Sequence, residues 1–253
     1  MKKFIESISN VWKIEELKNR ILITLGLLLV YRFGAQVTLP GIDATQLGNL
    51  AGQTKEGIGS ILDMFTGGAF SQASVFALGI MPYISASIVV QLMGIAIPYL
   101  QKLQSDGESG RKKINQITRW LTIGITLVQG PTYIYNLYRT LPSNAFLLGF
   151  NSFEFLFSSV IILVTGTIFA MWLGEKITDK GIGNGISLLI MVGILARFPQ
   201  AFIQEFTTRV TNNNGGPMLL VIEIIIWLLV IVCCVLLVMA VRRIPVQYAR
   251  RTT

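Results

Sequence analysis

Six long segments of the chain are almost continuously apolar, and charged or turn-rich stretches separate them. Each segment approaches the roughly 20 residues that an α-helix needs to cross a bilayer. Their predicted limits are Ile21–Leu39, Ala73–Ile97, Trp120–Tyr138, Phe155–Leu173, Ile186–Phe206 and Met218–Val241. The pattern therefore predicts an all-α polytopic membrane protein.

Composition agrees with this prediction. Of the 253 residues, 52% are hydrophobic and 13% are charged, whereas about a quarter of an average soluble domain is charged. A net charge of +8 would suggest a nucleic-acid partner in a soluble protein, but basic loops beside a membrane explain it better. The chain has no histidine, which excludes HExxH zinc sites and serine–histidine catalysis. No phosphate-binding loop motif and no pair of acids inside a span is present, so we expect no enzyme, no metal site and no cofactor.

Basic residues predict the orientation of the six spans. If the N-terminus is cytoplasmic, 16 of the 21 lysines and arginines fall on the cytoplasmic side. Cytoplasmic loops of membrane proteins carry an excess of lysine and arginine, so this orientation is predicted. These are Lys2, Lys3, Lys13, Lys18, Arg20, Lys102, Arg111, Lys112, Lys113, Arg119, Lys176, Lys180, Arg242, Arg243, Arg250 and Arg251. The other five, Arg32, Lys55, Arg139, Arg197 and Arg209, fall outside or near the outer ends of spans.

The spans differ in the polar and helix-breaking residues that they carry. Spans two, three and five hold many of them, for example Pro82, Gln129 and Pro131. Such residues are tolerated at bilayer depth where they face protein or a water-filled cavity. These three spans are therefore predicted to surround such an interior and not to face lipid. Spans four and six are strongly apolar and are predicted to face lipid. The alternative is an ordinary, tightly packed helical bundle.

The stretch DMFTGGAFSQ, residues 63–72, raises a separate question because it directly precedes the second span. Ile61–Phe65 is long enough for a short helix but not for a span, and Gly67 and Gly68 are expected to end that helix. A short helix enters the membrane only where it is buried in protein or lines a cavity. The pattern therefore predicts a small cap that covers a cavity from the outer side. The alternative is an amphipathic turn that rests on the lipid headgroups.

Several motifs, in order along the chain, resemble those of the SecY family, whose members are central subunits of the protein-conducting channel. LDMFTGGAFSQASVFALGIMPYISASIVVQL (62–92) resembles the plug and second span of the family. YRFGAQVTLPGI (31–42) resembles the end of its first span, and GESGRKKI (107–114) resembles a cytoplasmic junction. TGTIFAMWLGEKITDKGIGNGISLLI (165–190) resembles spans four and five, and RRIPVQYARR (242–251) resembles the start of a large cytoplasmic loop.

The resemblance implies a fold and a domain organisation. Family members have ten spans, built as two inverted halves of five. This chain would hold a cytoplasmic segment (1–20), the first half-channel of the clamshell (21–206), an outer loop with span six (207–241), and the start of a basic cytoplasmic loop (242–253). The sequence ends after six spans, so it is expected to be either a partial copy or a truncated protein.

The resemblance also implies a pore. Ile80 and Ile84 lie four residues apart on one face of span two, and with Ile190 they match an apolar ring that resists water and ions by dewetting. Without the family context, core packing would be the simpler interpretation of Ile80 and Ile84. The residues that match the plug are Ile61, Leu62, Asp63, Met64, Phe65, Thr66, Gly67, Gly68, Ala69, Phe70 and Ser71, here named the plug segment. Asp63 is interpreted as facing the outer aqueous funnel, with a cap on a neighbouring turn as an equal alternative.

Two further sets of residues match family sites. Spans two and three correspond to one side of a lateral gate, through which apolar segments leave into lipid, and Gln91 and Gln129 are candidates for polar contacts there. Ordinary hydrogen bonds between helices are the alternative for both glutamines. Arg242, Arg243, Arg250 and Arg251 match the start of the loop that docks the ribosome or the motor ATPase SecA, and membrane topology alone also explains their charge.

The resemblance implies partners and a location as well. The expected partners are SecE and SecG subunits, SecA, the ribosome, signal peptides and nascent chains, and membrane lipids. The expected location is the bacterial cytoplasmic membrane, with a cytoplasmic N-terminus. Two other classes fit less well: a secondary transporter usually places an ionisable residue at mid-membrane, and an intramembrane aspartyl hydrolase needs two buried acids, and no span convincingly shows either.

Overall fold

Helices dominate the computed structural model, which describes residues 13–47, 58–146, 152–211 and 216–240. The α-helices in these ranges are α1 (Glu15–Gly34), α2 (Ile58–Phe65), α3 (Met81–Ala96), α4 (Pro98–Ser105), α5 (Gly107–Thr140), α6 (Ser152–Lys180), α7 (Gly185–Thr211) and α8 (Gly216–Met239). Short 3₁₀ turns cover Ala44–Leu47 and Ser143–Ala145. No β-strand forms within the described ranges, where extended pairing is limited to isolated bridges. The predicted all-α class is confirmed.

The chain divides into two compact units, residues 1–197 and 198–253. In the second unit, Phe198 stacks on Trp227 of α8 with ring centroids 5.3 Å apart. Arg209 pairs with Glu205 at 2.8 Å and with Glu223 at 2.6 Å. Within this unit, the most apolar stretch of α8 contains no buried residue.

Helix α6 forms the centre of the first unit, where it packs against α1, α3 and α5. Its buried apolar residues include Phe155, Leu163, Ala170 and Ile177, which are spaced so that they line one face of the helix. The prediction that span four faces lipid is therefore wrong for this face. An apolar helix suits a protein core and a bilayer equally well, so composition alone could not separate the two environments.

The predicted second span is not one continuous helix. Residues 66–80 form a series of turns, and α3 begins only at Met81, with Pro82 in its first turn. Proline is favoured at this position because its missing N–H would have no partner inside the helix. Gly79 has φ +52° and precedes the helix, and this left-handed backbone breaks any regular helix that approaches from the N-terminal side. Pro82 was expected in the middle of a helix and instead starts one.

The far end of α3 also bends sharply. Helices α3 and α4 meet at 103° across Ile97, whose backbone is extended with φ −105° and ψ 116°. Pro98 explains the break, because proline disfavours helical backbone at the residue before it.

Within the described ranges, fewer helices than the six predicted spans are both long and apolar enough to cross a bilayer. Among the described residues, α6, α7 and α8 are long and apolar enough to cross a bilayer, and the bent α3–α4 pair adds a fourth if it counts as one span. Helix α1 carries Glu15 and Glu16 in its first turn and Arg32 in its last. Helix α5 is 34 residues long and contains polar residues such as Gln129 along the predicted span. These charged and polar residues make α1 and α5 less apolar than α6, α7 and α8.

Loops gather at two ends of the first unit. At one end the Asp43 N–H donates to the Ala145 carbonyl at 2.9 Å, which joins the segments after α1 and α5. At the other end the Ile182 N–H donates to the Thr24 hydroxyl at 3.1 Å, which joins α1 to the α6–α7 loop.

One acidic group in the first of these loops has a defined local role. Thr45 donates its backbone N–H (3.0 Å) and its hydroxyl (2.8 Å) to the Asp43 carboxylate. These bonds, the backbone one foremost, lower the pKa of Asp43 below its ordinary value because they favour the charged form. The bonds hold the start of the 3₁₀ turn at Ala44–Leu47.

Candidate functional site

The plug segment begins in helix α2 and continues as a compact turn. The Thr66 N–H donates to the Leu62 carbonyl at 3.0 Å, and the Gly68 N–H donates to the Asp63 carbonyl at 2.9 Å. Gly67 (φ +64°) and Gly68 (φ +97°) then reverse the chain in left-handed backbone, which glycine adopts without a Cβ clash. The predicted short helix and its double-glycine end are confirmed.

Several residues on either side of these glycines are buried. Thr66, Ala69, Ser71 and Ala73 are each no more than 3% exposed. The Tyr133 hydroxyl of α5 donates to the Phe70 carbonyl at 2.8 Å. The turn is therefore an integral part of the first unit, so a loosely attached headgroup turn does not describe it.

Asp63 does not face an aqueous space. It is 3% exposed, and its carboxylate accepts the Ser71 N–H at 2.8 Å and pairs with Arg197 of α7 at 2.5 Å. The interpretation that Asp63 faces the outer funnel is wrong, and the alternative, a cap on a neighbouring turn, describes its contact with Ser71. A buried carboxylate requires a partner because an isolated charge is costly to desolvate.

Three residues that the sequence did not single out as site residues surround the double glycine. Arg32 donates to the Gly67 carbonyl at 3.1 Å, and Arg197 donates to the Ser71 hydroxyl at 2.8 Å. A Cβ built on Gly193 of α7 would lie 2.7 Å from the Phe65 carbonyl oxygen, so the backbones of α7 and the plug segment nearly touch. Arginine near or inside an apolar segment was the signal that could have marked Arg32 and Arg197.

The predicted ring residues have different surroundings. Ile80 is buried at 4% exposure and packs in a cluster with Leu189 of α7, and Ile84 packs against the same cluster. The Ile84 N–H donates to the Ile80 carbonyl at 3.0 Å, so the two side chains lie one turn apart as predicted. Ile190 is half-buried, and its place beside the other two stays a prediction.

The two gate candidates are both exposed on the first unit. Gln91 donates to the Ser87 hydroxyl within α3 at 3.3 Å. Gln129 lines a cleft of about 550 Å³ that is bounded by α2, α3, α5 and the turns after α2. Other polar side chains on that cleft are Thr132 and Asn136 of α5 and Ser85 of α3, so the polar side chains are concentrated on α5 and the remaining walls are mostly apolar.

The basic residues Arg242, Arg243, Arg250 and Arg251 lie outside the described residues. Within the described part of the chain, no group of three or more His, Cys, Asp or Glu side chains could hold a metal ion.

The class of protein follows from these observations: the chain is a helical membrane protein with several spans and a short helix that leads into a buried turn. The family model for SecY matches residues 74–253. The chain belongs to the SecY family.

Individual relatives agree with this assignment. The chain is 48% identical over 192 residues to "Protein translocase subunit SecY" of Haemophilus influenzae, a match that covers 75% of this chain and 42% of the relative. It is 48% identical over 186 residues to the protein of the same name from Escherichia coli K12, covering 74% and 42%. The chain thus spans less than half the length of these relatives.

Solved structures give a weaker likeness. A chain described as "Sec61 in the Canine ribosome-channel complex from the endoplasmic reticulum" is 20% identical, with a TM-score of 0.47, and the match covers 83% of this chain and 42% of that one. A chain described as "The structure of a protein conducting channel" is 21% identical, with a TM-score of 0.46 and coverage of 83% and 41%.

Proposed function

We propose that this chain forms part of a protein-conducting channel that moves unfolded secretory proteins across a membrane and membrane proteins into it. The observation that carries the proposal is a short helix, α2, folded back into a buried turn in a chain that belongs to the SecY family. Its role is that of a conduit and not that of an enzyme, because the work is the passage of a polypeptide through an apolar constriction.

The plug segment seals the channel from the outer side at rest. Support comes from its construction: the helix is too short to span, its glycines allow a sharp reversal, and its far end is buried against α5 and α7. The plug segment is held mainly by side-chain contacts and is joined to the rest of the chain through turns. It can therefore move as a unit without disrupting a spanning helix.

The ring of the channel consists of Ile80, Ile84 and Ile190. Support comes from the start of α3, where Ile80 and Ile84 lie immediately after the plug turns and against the first half of α7. Branched aliphatic side chains close around a passing chain and exclude water when none is present.

The lateral gate includes Gln91 and Gln129, on α3 and α5. Support comes from the cleft beside Gln129, which has a polar strip on α5 and mostly apolar surface elsewhere. Such a surface suits a segment that is partitioning between a wet conduit and lipid. The exposed Gln91 on α3 supplies a second polar contact.

The assembled protein lies in the bacterial cytoplasmic membrane with its N-terminus in the cytoplasm, as the loop charges predict. Its partners are SecE, SecG, SecA and the ribosome, with signal peptides, nascent chains and lipid as transient ligands. Arg242, Arg243, Arg250 and Arg251 supply the cytoplasmic docking charge, and any contact with ribosomal RNA would weaken as salt rises.

A crosslink tests the ring. Cysteine is placed at Ile84 in the assembled channel, with the two native cysteines removed, and a secretory chain is stalled in transit. We expect a crosslink between Ile84→Cys and the passenger. A matched cysteine at Leu163, which is buried in α6 away from the ring, should give none.

A second variant separates a ring from an ordinary core. Replacing Ile80 and Ile84 with serine should increase ion leak and leave export intact, because the constriction becomes wet and wider. If the two residues were only core, each loss would cost roughly 2–5 kcal/mol and the protein would disappear from the membrane. A crosslink from Ile84→Cys to lipid or to α6, with none to the passenger, contradicts the ring.

A further inference from the structure

Two arginines from distant parts of the chain converge on the double-glycine turn of the plug segment. Arg32, in the last turn of α1, donates from Nη1 to the Gly67 carbonyl at 3.1 Å. Arg197, in α7, pairs through Nη1 with Asp63 at 2.5 Å and donates from Nη2 to the Ser71 hydroxyl at 2.8 Å. The segment is therefore held from two helices at once.

The arginine at position 197 matches its site in charge and in shape. The Asp63 side chain is 4% exposed and that of Arg197 is 41% exposed. The carboxylate is therefore buried, whereas part of the arginine side chain is in contact with solvent. The planar guanidinium uses two separate nitrogens on two acceptors, which the single nitrogen of lysine cannot reproduce. Removing Arg197 leaves the Asp63 carboxylate buried without a counter-ion, which is strongly unfavourable. Removing the Asp63 charge leaves the partly exposed Arg197 guanidinium without its carboxylate partner in the plug segment.

Gly67 and Gly68 allow the two guanidinium groups to approach the backbone of the turn closely. A Cβ on Gly68 would lie 2.9 Å from Arg197 Nη2, and a Cβ on Gly67 would lie 2.6 Å from Arg32 Nη1. The two guanidinium groups therefore lie directly against backbone that carries no side chain. Apolar packing holds helix α2 less firmly, since its residues Ile61 and Met64 are 54% and 44% exposed.

We propose that Arg197, assisted by Arg32, is a positioning residue that latches the plug segment in its seated place through Asp63 and Ser71. The proposal rests on the proposed function of the segment as a seal and names what keeps that seal closed. The latch opens as a unit, because the ion pair with Asp63 and the hydrogen bond to Ser71 share the Arg197 guanidinium and hold one turn. Arg32 holds the Gly67 carbonyl and so fixes the other side of the same turn.

Thiol reactivity measures the seated state directly. Thr66 is buried at 2% exposure within the segment, and Thr66→Cys reports its opening to a water-soluble maleimide. The reporter is placed in the full chain in membrane vesicles, with both native cysteines replaced. We expect Arg197→Gln and Asp63→Asn each to raise the modification rate at least tenfold, and Arg197→Lys, which keeps the charge, to raise it less.

The double variant Asp63→Asn/Arg197→Gln distinguishes a latch from two independent residues. If the two side chains act only through each other, the double variant reacts no faster than the single variants, because neither charge is left alone. Independent contributions would multiply, and a multiplied rate overturns the latch. An unchanged rate in Arg197→Gln overturns it as well.

Two controls exclude a general loosening of the protein. Ser159→Cys reports on α6, where the residue is fully buried and distant in sequence from the segment, and its rate should not change in Arg197→Gln. Arg209→Gln removes an ion pair with Glu223 in the second unit and should leave the Thr66→Cys rate unchanged. A parallel rise at Ser159→Cys would mean that Arg197 holds the whole bundle, which contradicts a local latch.

Ion conductance of the assembled channel separates the latch from the seal. We expect Arg197→Gln to raise the resting leak together with the thiol rate. If the thiol rate rises and the leak does not, the latch stands and the proposed sealing function fails. If neither changes, the latch itself is refuted.

Discussion

Gly67 offers a quantitative test of how closely the plug segment approaches its neighbours. Its φ of +64° favours glycine, and a Cβ at this position would lie 2.6 Å from Arg32 Nη1, 2.8 Å from the Gly193 Cα and 2.8 Å from the Gly193 carbonyl oxygen. The arginine tip can move aside, but the Gly193 backbone lies within α7 and cannot. Gly67→Ala therefore combines backbone strain with a steric clash.

The magnitude follows from these two terms. Left-handed backbone costs a residue with a Cβ about 1–2 kcal/mol. Overpacking a site that cannot relax costs about 1–3 kcal/mol. We expect Gly67→Ala to lower the free energy of unfolding by the sum, about 2–5 kcal/mol.

Two matched glycines isolate the contact from the strain. Gly107 (φ +66°) and Gly183 (φ +68°) have nearly the same backbone as Gly67, but a Cβ at either would meet nothing within 4 Å. Gly107→Ala and Gly183→Ala should therefore cost only the strain. The assay is equilibrium unfolding of the purified chain by SDS in mixed micelles, followed by near-ultraviolet circular dichroism. If Gly67→Ala is no more destabilising than the two controls, the close approach of α7 to the segment is refuted.

Three further predictions test other parts of the molecule. With both native cysteines removed, a cysteine at Ser109 should react with an impermeant thiol reagent only from the cytoplasmic face and one at Gln53 only from outside; the reverse labelling would overturn the orientation. Arg119 pairs with Glu175 at 2.5 Å with side chains 51% and 23% exposed, so a double-mutant cycle on their alanine variants should give a coupling of at most about 1 kcal/mol; a larger value would contradict the solvent screening. Ser159 is a buried hydroxyl without a hydrogen-bond partner among the described residues, so Ser159→Ala should leave the unfolding free energy unchanged or slightly raised, and a clear loss in the same SDS titration would reveal a partner.

Local sequence signals predicted the plug segment well. The short helix and its end at Gly67 and Gly68 follow from length and from the backbone freedom of glycine, both of which act over a few residues. The partner of Asp63 could not be predicted in this way, because Arg197 lies in another helix and nothing in either local sequence states the pairing. For the same reason, the close approach of Gly193 in α7 to the plug segment could not be predicted from the sequence.

Proline and apolar composition misled the prediction in two places. Pro82 was expected inside a span because apolar residues continue on both sides of it, yet residues 66–80 fold as turns and Pro82 starts α3. Helix α6 was expected to face lipid because it is so apolar, yet one of its faces forms the core of the first unit. Hydrophobicity measures the preference to leave water and carries no information about whether lipid or protein takes its place.

The contact between Ser71 and Arg197 also sets an order of events during synthesis. The two residues are 126 positions apart, and chains are made at about 5–20 residues per second, so roughly 6–25 s separate them at the ribosome. Arg32 emerges before the plug segment and Arg197 long after it, so the first hold on the Gly67 turn forms early and the second forms late. Until α7 emerges, Asp63 has no counter-ion from that helix. Its carboxylate then favours contact with water, because burying an unpaired charge is costly. In a newly made chain, the Gly67 turn therefore lacks its contacts with α7 until that helix has been synthesised.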